Sequence, residues 1–210
     1  MTTSADRIDR ISRRQVDKFE ERRRLLAEGA LQTLSERGFA RTSLREIAQN
    51  TEFSHGTLHY YFRDKVELIM YCVKQYKAVC VQRYDAIVTT SETPDGLARD
   101  FAAGLATTCH DDALMHRLWY DLRSQSLFEE SFRPDIADID ASLEQMIWRI
   151  VSRYAELSGR EPTCAQAFAY ATFDGLFQQA LLRHLSGNPS ALDDLRTGAC
   201  HLLTQVVFRP

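Results

Sequence analysis

Small and hydrogen-bonding side chains are concentrated in one short stretch of the sequence, residues 54–60. Side chains of this kind let a polar surface approach closely, and they can exchange hydrogen bonds with it. The chemistry they indicate is noncovalent recognition rather than bond making. The residues concerned are Ser54, His55, Gly56, Thr57, His59 and Tyr60.

No motif of a catalytic or metal centre accompanies this stretch. The sequence has no nucleophile elbow, no phosphate-binding loop and no H-E-x-x-H zinc motif. The nearest cluster, residues 110–112, is expected to be a solvated turn. Five cysteines without C-x-x-C spacing predict reduced thiols in the cytoplasm, and a redox-sensing cysteine is the less favoured alternative. We therefore expect no enzyme, no metal, no cofactor and no membrane span.

Cap signals place the polar stretch on the second of two short helices. Ser43 and Glu46 form an S-x-x-E pair, whose hydroxyl and carboxylate each accept a hydrogen bond from a free amide. The apolar period is lost at residues 50–52, and Ser54 offers a second N-cap. Asp64 should cap a long helix that begins at Lys65. This arrangement is typical of a helix-turn-helix, which lays its second helix in the DNA major groove.

The motif resembles that of the TetR family of bacterial transcriptional regulators over roughly residues 20–70. The matching segments are Thr42-Ser43-Leu44-Arg45-Glu46-Ile47-Ala48, Ser54-x-Gly56-Thr57-Leu58 and Tyr60-Tyr61-Phe62-x-x-Lys65-x-x-Leu68. The resemblance implies a homodimeric repressor that binds a palindromic operator of double-stranded DNA and is released by a small-molecule ligand.

Expected DNA contacts follow from the motif and the resemblance together. Tyr60, Lys65 and either Thr42 or Ser43 would contact phosphates, as would the amides at the start of the first short helix. The residues expected to face base edges or the nearby backbone are Arg45, His55, Gly56, Thr57 and His59.

Glu52 departs from the family pattern, which usually has a glycine in the turn between the two short helices. A non-glycine residue at positive φ costs roughly 1 kcal/mol. Either the turn is rearranged, or this strain is tolerated.

Helical periodicity without any strand pattern predicts an all-α fold of about nine helices. We expect a flexible basic extension at residues 1–15, a helix-turn-helix DNA-binding domain at 16–64 and a helical ligand-binding and dimerisation domain at 65–210. Residues 1–65 hold 13 Lys and Arg against 10 Asp and Glu, whereas the rest hold 13 against 19. The positive balance thus lies at the end that would meet phosphate. The arginines of the extension are either solvated or an arm that touches DNA.

The predicted helices outside the motif have approximate bounds. The first runs from Val16 to Arg37, with Phe19, Leu26, Ala30 and Leu34 on its buried stripe and Arg22, Arg23 and Arg24 mostly facing water. Gly38 would cap it, followed by a hydrophobic contact from Phe39. The later helices are expected at residues 65–88, 94–107, 113–128, 133–157, 163–185 and 190–208.

The middle of the chain is rich in aromatic residues. These form either an ordinary core or, as the resemblance implies, the walls and polar anchors of a ligand cavity. The candidate ligand-binding residues are Phe101, Leu105, Cys109, Trp119, Leu122, Arg123, Trp148, Phe173, Asp174 and Phe177.

The last two helices carry wide apolar faces, which predicts an intersubunit four-helix bundle. The candidate dimer-interface residues are Phe168, Thr172, Gly175, Leu176, Gln179, Leu182, Leu195, Ala199, Leu202 and Val206. Two alternatives remain for function: a regulator or activator without a ligand, and a helical partner-binding protein. A cavity would favour a ligand over the first of these.

Overall fold

The computed structural model describes the backbone of residues 4–38 and 42–208, with side chains except those of residues 4–15, 35 and 206. The described part is all helical apart from one isolated antiparallel bridge between Pro162 and Phe208. None of its helices is long and apolar enough to cross a membrane. The chain divides into two compact units between Val73 and Lys74, which we call the N-terminal and C-terminal units.

Four helices build the N-terminal unit: α1 (Ser4–Arg37), α2 (Leu44–Gln49), α3 (His55–Tyr61) and the first turns of α4 (Lys65–Thr90). The predicted short helices are confirmed. The core contains the fully buried side chains of Leu26, Leu34, Ile47, Leu58 and Phe62. Helices α2 and α3 are too short to be stable alone. The burial of apolar side chains on one side of each helix stabilises them.

The first helix begins at Ser4, well before the expected start at Val16. The physical reason lies in the composition of this segment. No proline occurs between Ser4 and Arg37 and no glycine before Gly29, so nothing interrupts the helix. Gly38 ends it at φ 78°, and its amide bonds to the Leu34 carbonyl at 2.8 Å. The expected contact of Phe39 lies outside the described residues.

The boundary between the units falls inside α4 rather than at its start, because the first turns of α4 pack on α1. Leu68, Ile69 and Val73 are fully buried. The thiol of Cys72 lies 3.3 Å from the Ala27 carbonyl oxygen. These turns therefore belong to the core of the N-terminal unit.

The C-terminal unit contains the rest of α4 and five further helices. They are α5 (Pro94–Asp111), α6 (Ala113–Gln125), α7 (Arg133–Ser158), α8 (Gln166–Leu185) and α9 (Ala191–His201), with a 3-10 turn at Glu130–Phe132 and a π turn at Leu202–Val206. Helix α9 packs closely on α8, where a Cβ on Gly198 would lie 3.1 Å from Leu176 Cδ1. The glycine allows this approach.

Several helix ends differ from the predicted bounds, including the end of α6 at Gln125 rather than residue 128. Helix α5 continues through His110 to Asp111, so residues 110 and 111 are helical rather than a solvated turn. The C-terminal helix changes to a π turn at Leu202. Here residues from outside the helix donate hydrogen bonds to its backbone carbonyls. Arg160 donates to the Thr204 carbonyl at 3.2 Å, and the Thr163 amide donates to that of Val207 at 2.8 Å. These bonds lie where the regular i→i−4 ladder of the helix is interrupted.

Candidate nucleic-acid interface and cavity

Helix α2 begins with the predicted capping box. The Glu46 amide donates to Ser43 Oγ at 3.2 Å, and the Ser43 amide donates to Glu46 Oε2 at 2.8 Å. The Ser43 hydroxyl also donates to Glu46 Oε2 at 2.8 Å. This bond and the one from the Ser43 amide lower the pKa of Glu46, and the nearby charges of Arg37 and Lys65 lower it further. Arg45, the second residue of α2, is exposed. The start of α2 is thus fixed, with positive charge beside it.

Thr42 is less suited to the role expected of it. Its side chain is only 3% exposed, and its hydroxyl donates to the Gly38 carbonyl at 2.8 Å. The hydroxyl therefore ties the end of α1 to the start of α2. Of the two residues predicted to contact phosphate here, Ser43 is the exposed one.

The turn between α2 and α3 is rearranged rather than strained. No non-glycine residue in the described part of the chain has a positive φ, and Asn50 caps α2 at φ −104°. Asn50 Nδ2 donates to the Glu46 carbonyl at 2.8 Å, and Thr51 Oγ1 donates to the Ile47 carbonyl at 2.9 Å. Side chains thus satisfy the carbonyls at the end of α2, and Glu52 does not have to adopt the positive φ that favours glycine.

Helix α3 presents one exposed polar face. Ser54 Oγ accepts the Thr57 amide at 3.0 Å, which fixes the first turn. His55 and His59 are both exposed, with ring centroids 4.5 Å apart in an edge contact. A Cβ on Gly56 would meet only Ser54 Oγ, at 3.8 Å. The packing of the fold therefore does not require a glycine at position 56. The missing side chain leaves a flat surface on this side of α3, which a partner can approach closely.

An aromatic cluster braces the C-terminal end of this face. The ring centroids of Phe19 and Tyr61 are 4.8 Å apart, and those of Tyr60 and Tyr61 are 4.9 Å apart. Tyr60 is nevertheless 73% exposed. The expectation that Phe19 is buried was wrong: it is 36% exposed and packs against these tyrosines, because the core of this unit starts only at Leu26.

Arg23 joins α1 to the start of α4, although it was expected to face water. Its guanidinium lies 4.7 Å from the ring centroids of both Phe62 and Tyr71, and 2.7 Å from Glu67. Glu67 also accepts the Arg63 amide at 2.9 Å. These partners lie far from Arg23 in sequence, so no local pattern could reveal them. The cap from Asp64 to the Glu67 amide, at 2.9 Å, is as predicted.

The C-terminal unit contains a cavity with about 520 Å³ of space between atoms, including the part open to solvent. Five of the predicted ligand residues line it: Leu105, Trp119, Phe173, Asp174 and Phe177. The other five do not line it: Phe101, Cys109, Leu122, Arg123 and Trp148. Phe101 lies behind the wall in an edge contact with Phe173, with centroids 5.3 Å apart, and Arg123 donates a hydrogen bond to Asp174.

Sequence reasoning missed the polar groups that α4 and α6 bring to the cavity. Lys77, Cys80 and Tyr84 line it from α4, and His116 lines it from α6. The α4 residues recur at helical spacing on one face, and a lysine within such a face is the signal that could have found the site. Burial raises the pKa of Cys80, as it does for Cys72 and Cys109, which disfavours a reactive thiolate at these sites.

Comparison with known families decides the nature of the N-terminal unit. The family model of the bacterial regulatory proteins of the tetR family matches residues 26–72. Residues 26–72 thus resemble the DNA-binding domain of that family. No curated protein matches the sequence.

Solved structures extend the likeness to the whole TetR-type fold. FadR from Bacillus subtilis, in complex with stearoyl-CoA, is 16% identical, with a TM-score of 0.70 over 86% of this chain and 96% of that chain. A TetR regulator from Haloarcula marismortui is 14% identical, with a TM-score of 0.73 over 90% and 100%. A regulator from Saccharomonospora viridis, in complex with choline, is 17% identical, with a TM-score of 0.71 over 91% and 100%.

The residues predicted for a dimer interface fall into two groups. On α8, Phe168, Gly175, Gln179 and Leu182 are exposed along one face, with Thr172 and Leu176 partly exposed. On α9, Leu195 and Ala199 are fully buried within the unit itself, so neither side chain is exposed to a second copy. Their apolar spacing reflects packing against α5 and α8. Leu202 is partly exposed, and the side chain of Val206 lies outside the described residues.

Proposed function

We propose that this TetR-family regulator is a repressor that binds a palindromic operator as a homodimer and leaves it when a small molecule enters the cavity. The observation that carries the proposal is the exposed polar face of α3, whose opposite side is held by the buried Leu58 and Phe62. A face of this kind can enter the major groove without loss of core packing.

Exposed residues of α8 support a dimer. Phe168 and Leu182 are large apolar side chains that are more than half exposed, and Gly175 lies between them on the same face. A second copy of this face would cover them by an isologous contact. Two α3 helices would then enter successive major grooves of one operator.

Helix α4 provides the proposed route from ligand to DNA. Its first turn contacts α1 through Glu67, and its later residues Lys77, Cys80 and Tyr84 line the cavity. A ligand that shifts α4 would shift α3 and change the spacing of the two reading helices. A ligand that prefers the released state 100-fold supplies about 2.7 kcal/mol of coupling.

The cavity favours a ligand-responsive regulator over one without a ligand. Proteins of this fold hold stearoyl-CoA in one case and choline in another. The reduced cysteines support a cytoplasmic location, since none of the five forms a disulfide.

Selection of genomic DNA fragments on the purified protein tests the proposal. We expect the wild type to enrich one palindrome, and Tyr60→Ala to lose that enrichment. Tyr60→Phe is the matched control, because it keeps the ring contacts with Phe19 and Tyr61 and removes only the hydroxyl. It therefore separates the loss of a phosphate contact from the loss of ring packing. Light scattering in the same buffer should show a dimer. Failure of a folded, dimeric wild type to enrich any fragment would contradict the proposal.

A further inference from the structure

Lys77 places a buried ammonium group at the cavity. The residue is 5% exposed, and its Nζ lies 3.2 Å from His116 Nδ1. No carboxylate oxygen in the described ranges lies within 4.0 Å of this nitrogen. A buried charge without a counter-ion is unfavourable, so an anion beside it would be stabilised.

His116 does not neutralise this ammonium. Burial and the nearby cations Lys77 and Arg83 lower the pKa of His116 well below its usual value. The neutral ring contacts Lys77 through Nδ1, and its Nε2 lies 3.0 Å from the Tyr76 hydroxyl. The tautomer with its proton on Nε2 satisfies both contacts, because Nδ1 then accepts from the ammonium. Two N–H donors of Lys77 remain for another partner.

The carboxylates near the cavity are held by a different cation. Asp174 accepts hydrogen bonds from Arg123 and from the Tyr120 hydroxyl, the latter at 2.9 Å. Asp140 lies 3.3 Å from Arg123 Nε and accepts the Tyr170 hydroxyl at 2.5 Å. Arg123 therefore pairs with both acids, although one negative charge is left in excess, and neither acid lies within 4.0 Å of Lys77 Nζ.

The remaining walls favour an apolar ligand body and disfavour a cationic head. Leu105, Leu143, Met146 and Ile147 contribute apolar lining. The face of Trp119, which could otherwise hold a cationic ligand, already has Lys77 Nζ at 5.1 Å from the ring centroid. A cation entering beside Trp119 would meet this ammonium.

We propose that the cavity binds a small monocarboxylic acid with an aromatic or aliphatic body, whose carboxylate pairs with Lys77. A single ammonium with two available donors matches one singly charged carboxylate. This inference rests on the proposed function only in using the same cavity as the effector site.

Calorimetric titration of the full chain without DNA tests the inference. The probes are 3-phenylpropionate and hexanoate, each compared with its primary amide and with the amine of the same body. We expect each acid to bind the wild type at least tenfold more tightly than its amide, and the amines to bind most weakly. Lys77→Met should remove the preference for the acid while the amide still binds.

Lys74→Met is the matched control, since it makes the same change on the same helix. Lys74 lies on the surface and pairs with Asp135 at 2.5 Å, outside the cavity lining. This variant should keep the wild-type preference. A preference for amide or amine in the wild type, a tenfold acid preference that survives in Lys77→Met, or no binding of any probe would each overturn the inference.

The two proposals can fail separately. The titration contains no DNA, so its failure leaves the result of the genomic selection unchanged. If the acids bind as expected but do not release a selected operator, only the proposed release is contradicted.

Discussion

The exposed face of α3 and the cavity of the C-terminal unit both present polar groups, but they are built in opposite ways. On α3, Ser54 and Thr57 satisfy each other within one turn, and the remaining polar groups face water. In the cavity, Lys77 is removed from water and lacks a carboxylate partner. The first surface costs little stability and accepts an extended partner, whereas the second stores an unfavourable charge that a ligand can relieve.

The largest expected effect is the loss of DNA binding when Gly56 is replaced by a larger residue, because this change should block the approach of DNA without disturbing folding. Gly56→Leu adds a side chain where the fold has open space, so the protein should fold while contact with DNA is blocked. We expect at least a 100-fold loss of operator affinity, about 2.7 kcal/mol. Gly56→Ala should be roughly 0.5–1 kcal/mol more stable, as expected for a helix position, with a smaller loss of affinity. Fluorescence anisotropy and thermal unfolding measure both properties.

Removal of the buried charge should stabilise the cavity region. Burial lowers the pKa of Lys77 to about 8 from an ordinary value of 10.5. The unfolded chain therefore binds more protons between these values, and this group's contribution to stability rises with pH across that window. At pH 7 the full penalty is present, so Lys77→Met should be more stable by roughly 3 kcal/mol.

Urea unfolding of the wild type and Lys77→Met at pH 7 and pH 10 measures this difference. The gap between the two proteins should narrow at the higher pH. A variant less stable than the wild type at pH 7 would show that Lys77 is held by interactions that outweigh its burial.

Loss of one phosphate contact should have a smaller and sequence-independent effect. Lys65→Ala should weaken binding to every DNA sequence by a similar factor and reduce the salt slope by about one. Lys74→Ala, a change at a surface lysine of the C-terminal unit, provides the comparison. Equal salt slopes for Lys65→Ala and the wild type would exclude Lys65 from the DNA contacts.

The smallest effect concerns the cap of α2. Ser43→Ala removes the acceptor of the Glu46 amide and should destabilise the protein by about 1 kcal/mol. Binding of 3-phenylpropionate, measured by calorimetry, should not change. A loss of probe affinity would mean that the two regions are not built independently.

The sequence predicted the two short helices α2 and α3 well because the determinants of their starts are local. Ser43 with Glu46 and Ser54 with Thr57 lie within one helical turn, so their caps follow from spacing alone. The rearranged turn at Glu52 required the structure, since side chains of Asn50 and Thr51 take carbonyls that no spacing rule assigns.

The cavity was predicted only in part because its residues meet across long sequence separations. Its aromatic walls Trp119, Phe173 and Phe177 followed from composition, but the pairing of Lys77 with His116 joins α4 to α6. The apolar stripe of α9 was also ambiguous: Leu195 and Ala199 would look the same for burial within one chain and for burial between two. Only packing distinguishes these cases.

Hydroxyl-radical footprinting of the selected operator, with the wild type and Gly56→Leu side by side, tests the central claim most directly. We predict two protected patches about one helical turn apart for the wild type, as two α3 helices in successive major grooves require, and none for the folded variant. A single patch, or an unchanged footprint with Gly56→Leu, would contradict the account.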